Sequence, residues 1–221
     1  PKPQNPNYLN ISLLFNMKSI LTSAALAAVS AREQDNTCYA ASFQMGGSGG
    51  VFEVGALWGM FYALKDLGKQ NLMQYDSVSG VSVGSINAFF VALTEKGQEE
   101  AMVNELSDLW NNLHNSDVLT NRTHQILSAL DGKGLYDDQP LLNFLDEVYE
   151  KHNKTIKRAL SMGSVDLNSG TFMVFNETIS NPPKAVVSSS SIELMFPTQV
   201  WPELNLVNAD GGLVHKSDMI S

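Results

Sequence analysis

The sequence contains a single cysteine, Cys38, among its 221 residues. One cysteine cannot form an internal disulfide, and it also excludes the paired-cysteine spacings of structural zinc sites. We expect Cys38 to be a small buried residue, as free cysteines usually are. No other grouping of ligand-type residues indicates a metal, and we expect no cofactor.

Basic residues are also few. The chain has 14 Lys and Arg against 23 Asp and Glu, which gives a formal net charge of −9. Nucleic-acid binding depends on clustered Lys and Arg that neutralise phosphates, so we expect no nucleic-acid partner. A lipid surface is compatible with this charge, because apolar contacts can hold an acidic protein there.

The apolar run near the N-terminus, ILTSAALAAV (20–29), has only ten residues, too few to span a bilayer. It follows Met17-Lys18-Ser19 and leads to small residues up to Ala31, which is the arrangement of a secretory signal peptide. We predict a signal peptide over 17–31, with residues 1–16 as a non-native or disordered stretch upstream of the true start. An ordinary N-terminal helix is the alternative.

Three Asn-x-Thr sequons begin at Asn121, Asn153 and Asn176. Sequons are glycosylated in the secretory pathway, so they agree with the predicted signal peptide, although they also arise by chance. The sequence therefore predicts a secreted or lumenal glycoprotein.

Two successive strand–turn–helix units organise the first half of the chain. Residues 38–45 form a predicted strand, and the glycine loop after it leads into segment 51–64, whose single charge is typical of a helix buried nearly all round. A second strand begins at Tyr75 and leads into a helix that ends near Gly97. This repetition predicts one α/β domain over 38–221, with a mainly parallel central sheet flanked by helices.

The second half has helical patterns at 98–114 and 134–152, a hairpin pattern around 168–170 and a strand that ends at Asp210. The chain stops soon after Gly212. A sheet protein whose chemistry sits there normally has further elements behind it, so we expect the domain to be incomplete at its C-terminus.

The segment GVSVGSINA (80–88) contains the pattern G-x-S-x-G, with Ser82 between Gly80 and Gly84. In a nucleophile elbow, the serine occupies a strained strand-to-helix turn where glycine neighbours avoid collisions. The N-terminus of the following helix favours negative charge that develops beside the serine. An apolar strand before the motif and a helix after it favour Ser82 as a nucleophile over an ordinary loop serine.

The glycine loop MGGSGG (45–50) lies between the first strand and its helix. Acyl transfer passes through an oxyanion that needs preorganised donors, and residues without bulky side chains let backbone N–H groups reach it. The loop does not match a nucleotide site, because Val51 and Phe52 stand where the P-loop and dinucleotide patterns require other residues. The candidate oxyanion donors are Gly46, Gly47, Ser48, Gly49 and Gly50.

The third candidate for a part in catalysis is Asp210, which is followed by Gly211 and Gly212. A serine hydroxyl needs a base within hydrogen-bond reach, and an aspartate on a tight glycine turn can act as that base if burial raises its pKa. An ordinary Asp-Gly turn is the alternative.

Together, the glycine loop, the GVSVGSINA segment and the DGG motif resemble the patatin-like phospholipase family, from about Ser42 to His215. GVSVGSINA is close to that family's G-T/V-S-x-G-A/S-I-N-A, and SSSSIELMFP (188–197) is similar to its A-S-x-A-x-P-x-x-F-P element. The loop departs from the family's G-G-G-x-R/K-G, with Met45 at the first glycine and Gly49 at the basic position.

The resemblance implies a lipid acyl hydrolase with a Ser-Asp dyad and no histidine. Ser82 would be the nucleophile, Asp210 the base, and the backbone around Gly46, Gly47 and Ser48 the oxyanion hole. The implied reaction is cleavage of carboxylic esters in phospholipids or related lipids through an acyl-enzyme, in transient contact with a membrane or micelle surface.

Two alternatives stay open. The α/β-hydrolases also use G-x-S-x-G but need a histidine after the acid, and only His215 follows Asp210. A catalytically inactive fragment that binds lipid or a protein partner is the second alternative.

Overall fold

The computed structural model describes residues 38–215; the predicted signal peptide and the stretch upstream of it lie outside these residues. The strands are β1 (Ala40–Phe43), β2 (Ser77–Val81), β3 (Thr120–Asn121), β4 (Tyr136–Asp137), β5 (Ala159–Asp166), β6 (Thr171–Asn176), β7 (Gln199–Trp201) and β8 (Leu206–Asp210). The α-helices are α1 (Gly50–Asp66), α2 (Val83–Ala92), α3 (Glu99–Asn112), α4 (Asn115–Val118), α5 (Gln125–Leu130), α6 (Gln139–Lys151) and α7 (Pro182–Ser190). Short 3₁₀ helices occupy Gly47–Gly49, Gln70–Met73, Pro202–Leu204 and Gly211–Leu213.

A six-stranded mixed sheet forms the centre of the domain, in the order β1-β2-β5-β8-β7 with β6 also paired to β5. β1, β2 and β5 are parallel, and helices connect them, as the strand–turn–helix repetition predicts. β6, β7 and β8 join in antiparallel fashion. The predicted fold class, an α/β domain with parallel strands at its centre and flanking helices, is confirmed.

Two strands share one edge of β5. β6 pairs with β5 over Ser161–Asp166, so it occupies one edge of that strand. β2 pairs with the first part of β5 and β8 with the last part, and both therefore lie along the opposite edge. The parallel strand β2 reaches Gly163 at its final residue, and the antiparallel strand β8 reaches Ser164 at its final residue. The ends of β2 and β8 thus meet at adjacent positions of β5.

The helix that follows β2 is the most deeply buried part of the fold. All of α2 is buried except Ile86. Its first turn packs against the end of β1: a Cβ atom on Gly84 would lie 2.3 Å from the Phe43 carbonyl oxygen. A Cβ on Gly80 would lie 2.1 Å from the Gly84 carbonyl oxygen. Both positions of the G-x-S-x-G pattern therefore require glycine, because the backbone of a neighbouring segment leaves no room for a Cβ atom.

The prediction that the first helix is buried nearly all round is wrong. α1 buries one stripe, which includes Val54, Leu57 and Phe61, while Phe52 is 79% exposed and Trp58 is 42% exposed. The helix packs along one side only, so its low charge does not imply full burial. Cys38 is also exposed rather than buried, and it lies outside the sheet, two residues before β1.

We predict that Gly84→Ala destabilises the protein by ~1–3 kcal/mol or more, since the new methyl group collides with backbone atoms that cannot move freely. Gly59→Ala is the matched control, because Gly59 lies in α1 and a Cβ added there would have no atom within 4 Å. This second change should stabilise the helix by about 0.5–1 kcal/mol. Urea unfolding of both variants measures the difference; equal effects would contradict the close approach.

Candidate active site

Ser82 connects β2 to α2 in a strained backbone conformation. Its φ is 57° and its ψ is −130°, a region that residues with side chains avoid at a cost of about 1–3 kcal/mol. Two hydrogen bonds hold it there: the Ser82 N–H donates to Ser189 Oγ at 3.0 Å, and Ser85 Oγ donates to the Ser82 carbonyl at 2.6 Å. Ser189 Oγ in turn donates to the Gly163 carbonyl at 2.5 Å, which ties the turn to β5. The geometry is that of a nucleophile elbow.

Asp210 ends β8 beside that turn. Its N–H donates to the Ser191 carbonyl at 2.9 Å, and its Oδ1 accepts from the Gly212 N–H at 2.7 Å. Oδ2 is buried and has no hydrogen bond of standard geometry within residues 38–215. The Ser82 hydroxyl nevertheless lies close enough to lower the pKa of this carboxyl. Nucleophile–base pairs are commonly looser than a standard hydrogen bond before substrate binds.

Burial dominates the electrostatics of Asp210. Loss of water raises the pKa of its carboxyl above the usual range, and the Ser82 hydroxyl and the Gly212 N–H offset only part of that rise. A carboxylate with a raised pKa is a stronger base toward a hydroxyl. The arrangement is therefore suited to proton transfer from Ser82.

The glycine loop faces the same site through its first residues. Gly47 has a φ of +52°, which favours glycine, and both Gly47 and Ser48 line the cavity that also contains Ser82. Their N–H groups come before the first hydrogen bonds of the 3₁₀ helix, in which Gly49 donates to Gly46 and Gly50 donates to Gly47. The amides of Gly49 and Gly50 are thus bonded within the loop, whereas Gly47 and Ser48 lie in the cavity wall beside Ser82.

A polar cross-link that sequence reasoning missed holds the loop in place. Glu53 Oε1 accepts from the Gln44 N–H at 2.6 Å, and its Oε2 accepts from Asn87 Nδ2 at 3.0 Å. The same Asn87 amide donates to the Gly50 carbonyl at 3.1 Å and accepts from Trp110 Nε1 at 2.9 Å. Two sequence features point to this network: Glu53 is the single charge of the apolar helix, and Asn87 is the asparagine of GVSVGSINA.

The rest of the DGG motif packs closely against its neighbours. A Cβ on Gly211 would lie 2.4 Å from the Gly163 carbonyl oxygen. Only glycine therefore fits at the first position after β8. A Cβ on Gly212 would lie 2.6 Å from the Met45 sulfur. Met45, which departs from the family pattern, therefore fills space beside the turn that carries Asp210.

A cavity of about 380 Å³ opens beside Ser82. Its walls are mainly apolar and come from α2, α3, α6, α7 and the segments next to them. The larger apolar side chains include Ile86, Leu109, Trp110, Leu141, Phe144 and Phe196. A mainly apolar cavity of this volume can hold an acyl chain next to Ser82.

Asp138 is a buried carboxyl that lines this cavity, and the sequence motifs do not predict it. It is 8% exposed, and its Oδ2 accepts from Gln199 Nε2 at 2.8 Å. Burial raises the pKa of Asp138 to about 6, with a further rise from the neighbouring Asp137. In the sequence, Asp138 is the second of two adjacent acids in GLYDD (134–138), and no motif marks it.

The structure does not bring His215 into this arrangement. Its imidazole is exposed and packs edge-on against Phe172, with ring centroids 4.6 Å apart. His114 also lines the cavity, with Nδ1 3.7 Å from Asp117 Oδ2. Within residues 38–215, no group of three or more His, Cys, Asp or Glu side chains could hold a metal ion. The helices of the same segment are also too short or too polar to cross a membrane.

Comparison with known proteins gives a family and a fold. The model of the Patatin-like phospholipase family matches residues 42–216. Among solved structures, the chain is similar to VipD from Legionella pneumophila, with a TM-score of 0.53 and 13% identity over 85% of this chain and 48% of VipD. A weaker similarity to the type III effector protein ExoU has a TM-score of 0.38 and 16% identity over 76% and 41% of the two chains. The chain spans about half the length of VipD. No curated protein matches it.

The raised pKa of Asp138 predicts how stability depends on pH. The folded protein holds this proton up to about pH 6, whereas the unfolded chain releases it near pH 4, so the free energy of unfolding falls as pH rises through that window. Asp138→Asn removes this carboxyl and should shrink the fall by on the order of 2 kcal/mol. The raised pKa of Asp210 lowers the free energy of unfolding with rising pH in the wild type and in Asp138→Asn alike, so its contribution cancels in the comparison. Urea unfolding at pH 4 and pH 7 measures the change; identical falls in both proteins would refute it.

Proposed function

The chain belongs to the patatin-like phospholipase family, and from that premise we propose that it is a lipid acyl hydrolase that cleaves carboxylic esters of phospholipids or related lipids. The observation that carries this proposal is the register of β5. Val81 pairs with Gly163 and Asp210 pairs with Ser164, so the residue after β2 and the last residue of β8 are neighbours. The apolar cavity supplies a place for the acyl chain beside them.

In the proposed reaction, Asp210 takes the hydroxyl proton as Ser82 Oγ attacks the ester carbonyl carbon. The carbonyl π electrons move to oxygen, and the amides of Gly47 and Ser48 stabilise this oxyanion. The positive end of the α2 dipole lies at the same turn and adds to that stabilisation. The tetrahedral intermediate then collapses, and the alcohol leaves with the proton that Asp210 holds. Water attacks the acyl-enzyme by the same route and releases the fatty acid.

This scheme gives His215 no role, because its ring packs on Phe172 at the surface rather than on the cavity that contains Ser82. The α/β-hydrolase alternative needs a histidine between the acid and the serine. The proposed chemistry therefore uses a Ser-Asp dyad.

We also propose that the protein acts on the secretory or extracellular side of a membrane, in transient contact with a lipid surface. The asparagines of all three sequons, Asn121, Asn153 and Asn176, are exposed and so accessible to glycosylation. Mass spectrometry of the protein secreted by a eukaryotic host tests both the glycans and the cleavage site after Ala31.

A fluorophosphonate probe tests the nucleophile. We expect the wild-type chain to be labelled and to hydrolyse a short-chain phospholipid ester, and Ser82→Ala to abolish both. Asp210→Asn should lower kcat by about 10³-fold or more while the fold persists, because the serine loses its base.

His215→Ala is the matched control and should keep most of the wild-type turnover. Loss of nearly all turnover in this variant would favour the histidine-dependent alternative. A folded wild-type chain that neither reacts with the probe nor turns over ester would favour lipid or partner binding without catalysis.

A further inference from the structure

Ser189 is a fully buried serine near the end of α7, and the proposed reaction gives it no role of its own. Its Oγ accepts from the Ser82 N–H at 3.0 Å and donates to the Gly163 carbonyl at 2.5 Å. A hydroxyl can accept and donate at the same time, so one small side chain joins the elbow to β5. A buried N–H that loses its acceptor is costly, so this connection has no ready substitute.

The hydrogen bond from Ser82 to Ser189 acts on the strained torsion of the elbow. The φ of Ser82 is 57°, and φ is the rotation about its N–Cα bond. The peptide group that carries the Ser82 N–H therefore fixes the direction of the side chain relative to β2. Ser85 Oγ holds the carbonyl side of the same residue from within α2. Ser189 holds the N–H side, from a segment that is distant in the sequence.

The same segment also holds the proposed base. The Asp210 N–H donates to the carbonyl of Ser191, the first residue after α7, at 2.9 Å. The Gly163 carbonyl that accepts from Ser189 also lies against the turn after β8, since a Cβ on Gly211 would be 2.4 Å from it. The end of α7 and the middle of β5 thus support the backbone of both members of the dyad.

Loss of the Ser189 hydroxyl should change the orientation of the nucleophile more than the binding of substrate. A strained residue keeps its conformation only while its surroundings impose it, so Ser82 can relax when the acceptor of its N–H is removed. Its Oγ then turns away from the Asp210 carboxyl. Ser189 is not among the described residues that line the cavity, so the space for the acyl chain stays the same.

We propose that Ser189 is a positioning residue, whose hydroxyl holds the backbone of Ser82 in the strained conformation that presents Oγ to the Asp210 carboxyl. The inference rests on the proposed hydrolase function and concerns the geometry of the same dyad. Because the effect acts through Asp210, it depends on the presence of that carboxyl.

The first test is Ser189→Ala, assayed on a short-chain phospholipid ester. We expect kcat to fall by about 10²-fold, the cost of a nucleophile displaced by roughly 1 Å, while KM stays within about twofold of the wild-type value.

Ser188→Ala is the matched control. Ser188 is equally buried, and its Oγ donates to the Lys184 carbonyl at 2.9 Å and accepts from Trp201 Nε1 at 3.0 Å. The change removes the same kind of hydroxyl from the same helix end, but without a contact to the elbow. Its kcat per folded chain should stay within about twofold of the wild-type value.

A double-mutant cycle with Asp210→Asn separates positioning from a structural role. The readout is the rate of fluorophosphonate labelling per folded chain, with the folded fraction taken from urea unfolding. Ser189→Ala should slow labelling by about 10²-fold when Asp210 is present and by less than about fivefold in Asp210→Asn. Ser189→Cys keeps the volume and a weak donor and acceptor, so it should fall between the wild type and Ser189→Ala. This variant completes the same cycle if Ser189→Ala does not fold.

Three results would overturn the inference while hydrolysis stands: equal slowing in both backgrounds of the cycle, an unchanged kcat in Ser189→Ala, or an equal loss of kcat in Ser188→Ala. The first and third are the patterns of a residue that only stabilises the fold. A wild-type chain that shows the expected cycle with the probe, but hydrolyses no lipid ester, would refute the proposed substrate and support the role of Ser189. A folded wild-type chain without labelling or hydrolysis would refute both.

Discussion

The shared edge of β5 is the constraint on which the site depends. A strand has two edges, and β6 covers one of them over the same residues that β2 and β8 pair with in turn. Because β2 runs parallel to β5 and β8 runs antiparallel, their final residues approach from opposite directions and stop at neighbouring positions. Backbone hydrogen bonds, rather than contacts between side chains, thus bring together Ser82 and Asp210, which are far apart in the sequence.

Close backbone packing then fixes the orientation of these groups. Gly80, Gly84 and Gly211 each stand where a Cβ would collide with a main-chain atom, so the elbow packs directly on the end of β1 and the turn after β8 packs directly on β5. Hydrogen bonds from Ser189 and between Glu53 and Asn87 connect these parts. A strained serine persists only where its surroundings determine its conformation in this way.

The sequence predicts the parts of the site that have local causes. The period of the apolar residues and the glycines around Ser82 are local, and they predict the parallel α/β sheet and the elbow. Gly47 and Ser48 are found by the same reasoning, but only the structure shows that the amides of Gly49 and Gly50 close the 3₁₀ turn.

Other features have causes that are distant in the chain. Asp138 looks like one of two ordinary acids before a helix, and its burial depends on α7 and Gln199. The partners of Glu53 come from α2 and from the end of β1. The antiparallel direction of β8 follows from tertiary packing, and so does the exposed face of α1 that holds Phe52. Periodicity within one segment carries no information about such neighbours.

The chain order of the paired strands has a consequence for biosynthesis. A ribosome makes β2, α2 and β5 well before β8, and domains begin to fold while synthesis proceeds. Until β8 docks on β5, the nascent polypeptide lacks the carboxyl that the proposed reaction uses. The proposed lipid-cleaving activity therefore requires that β8, the last of the described strands to be synthesised, has paired with β5.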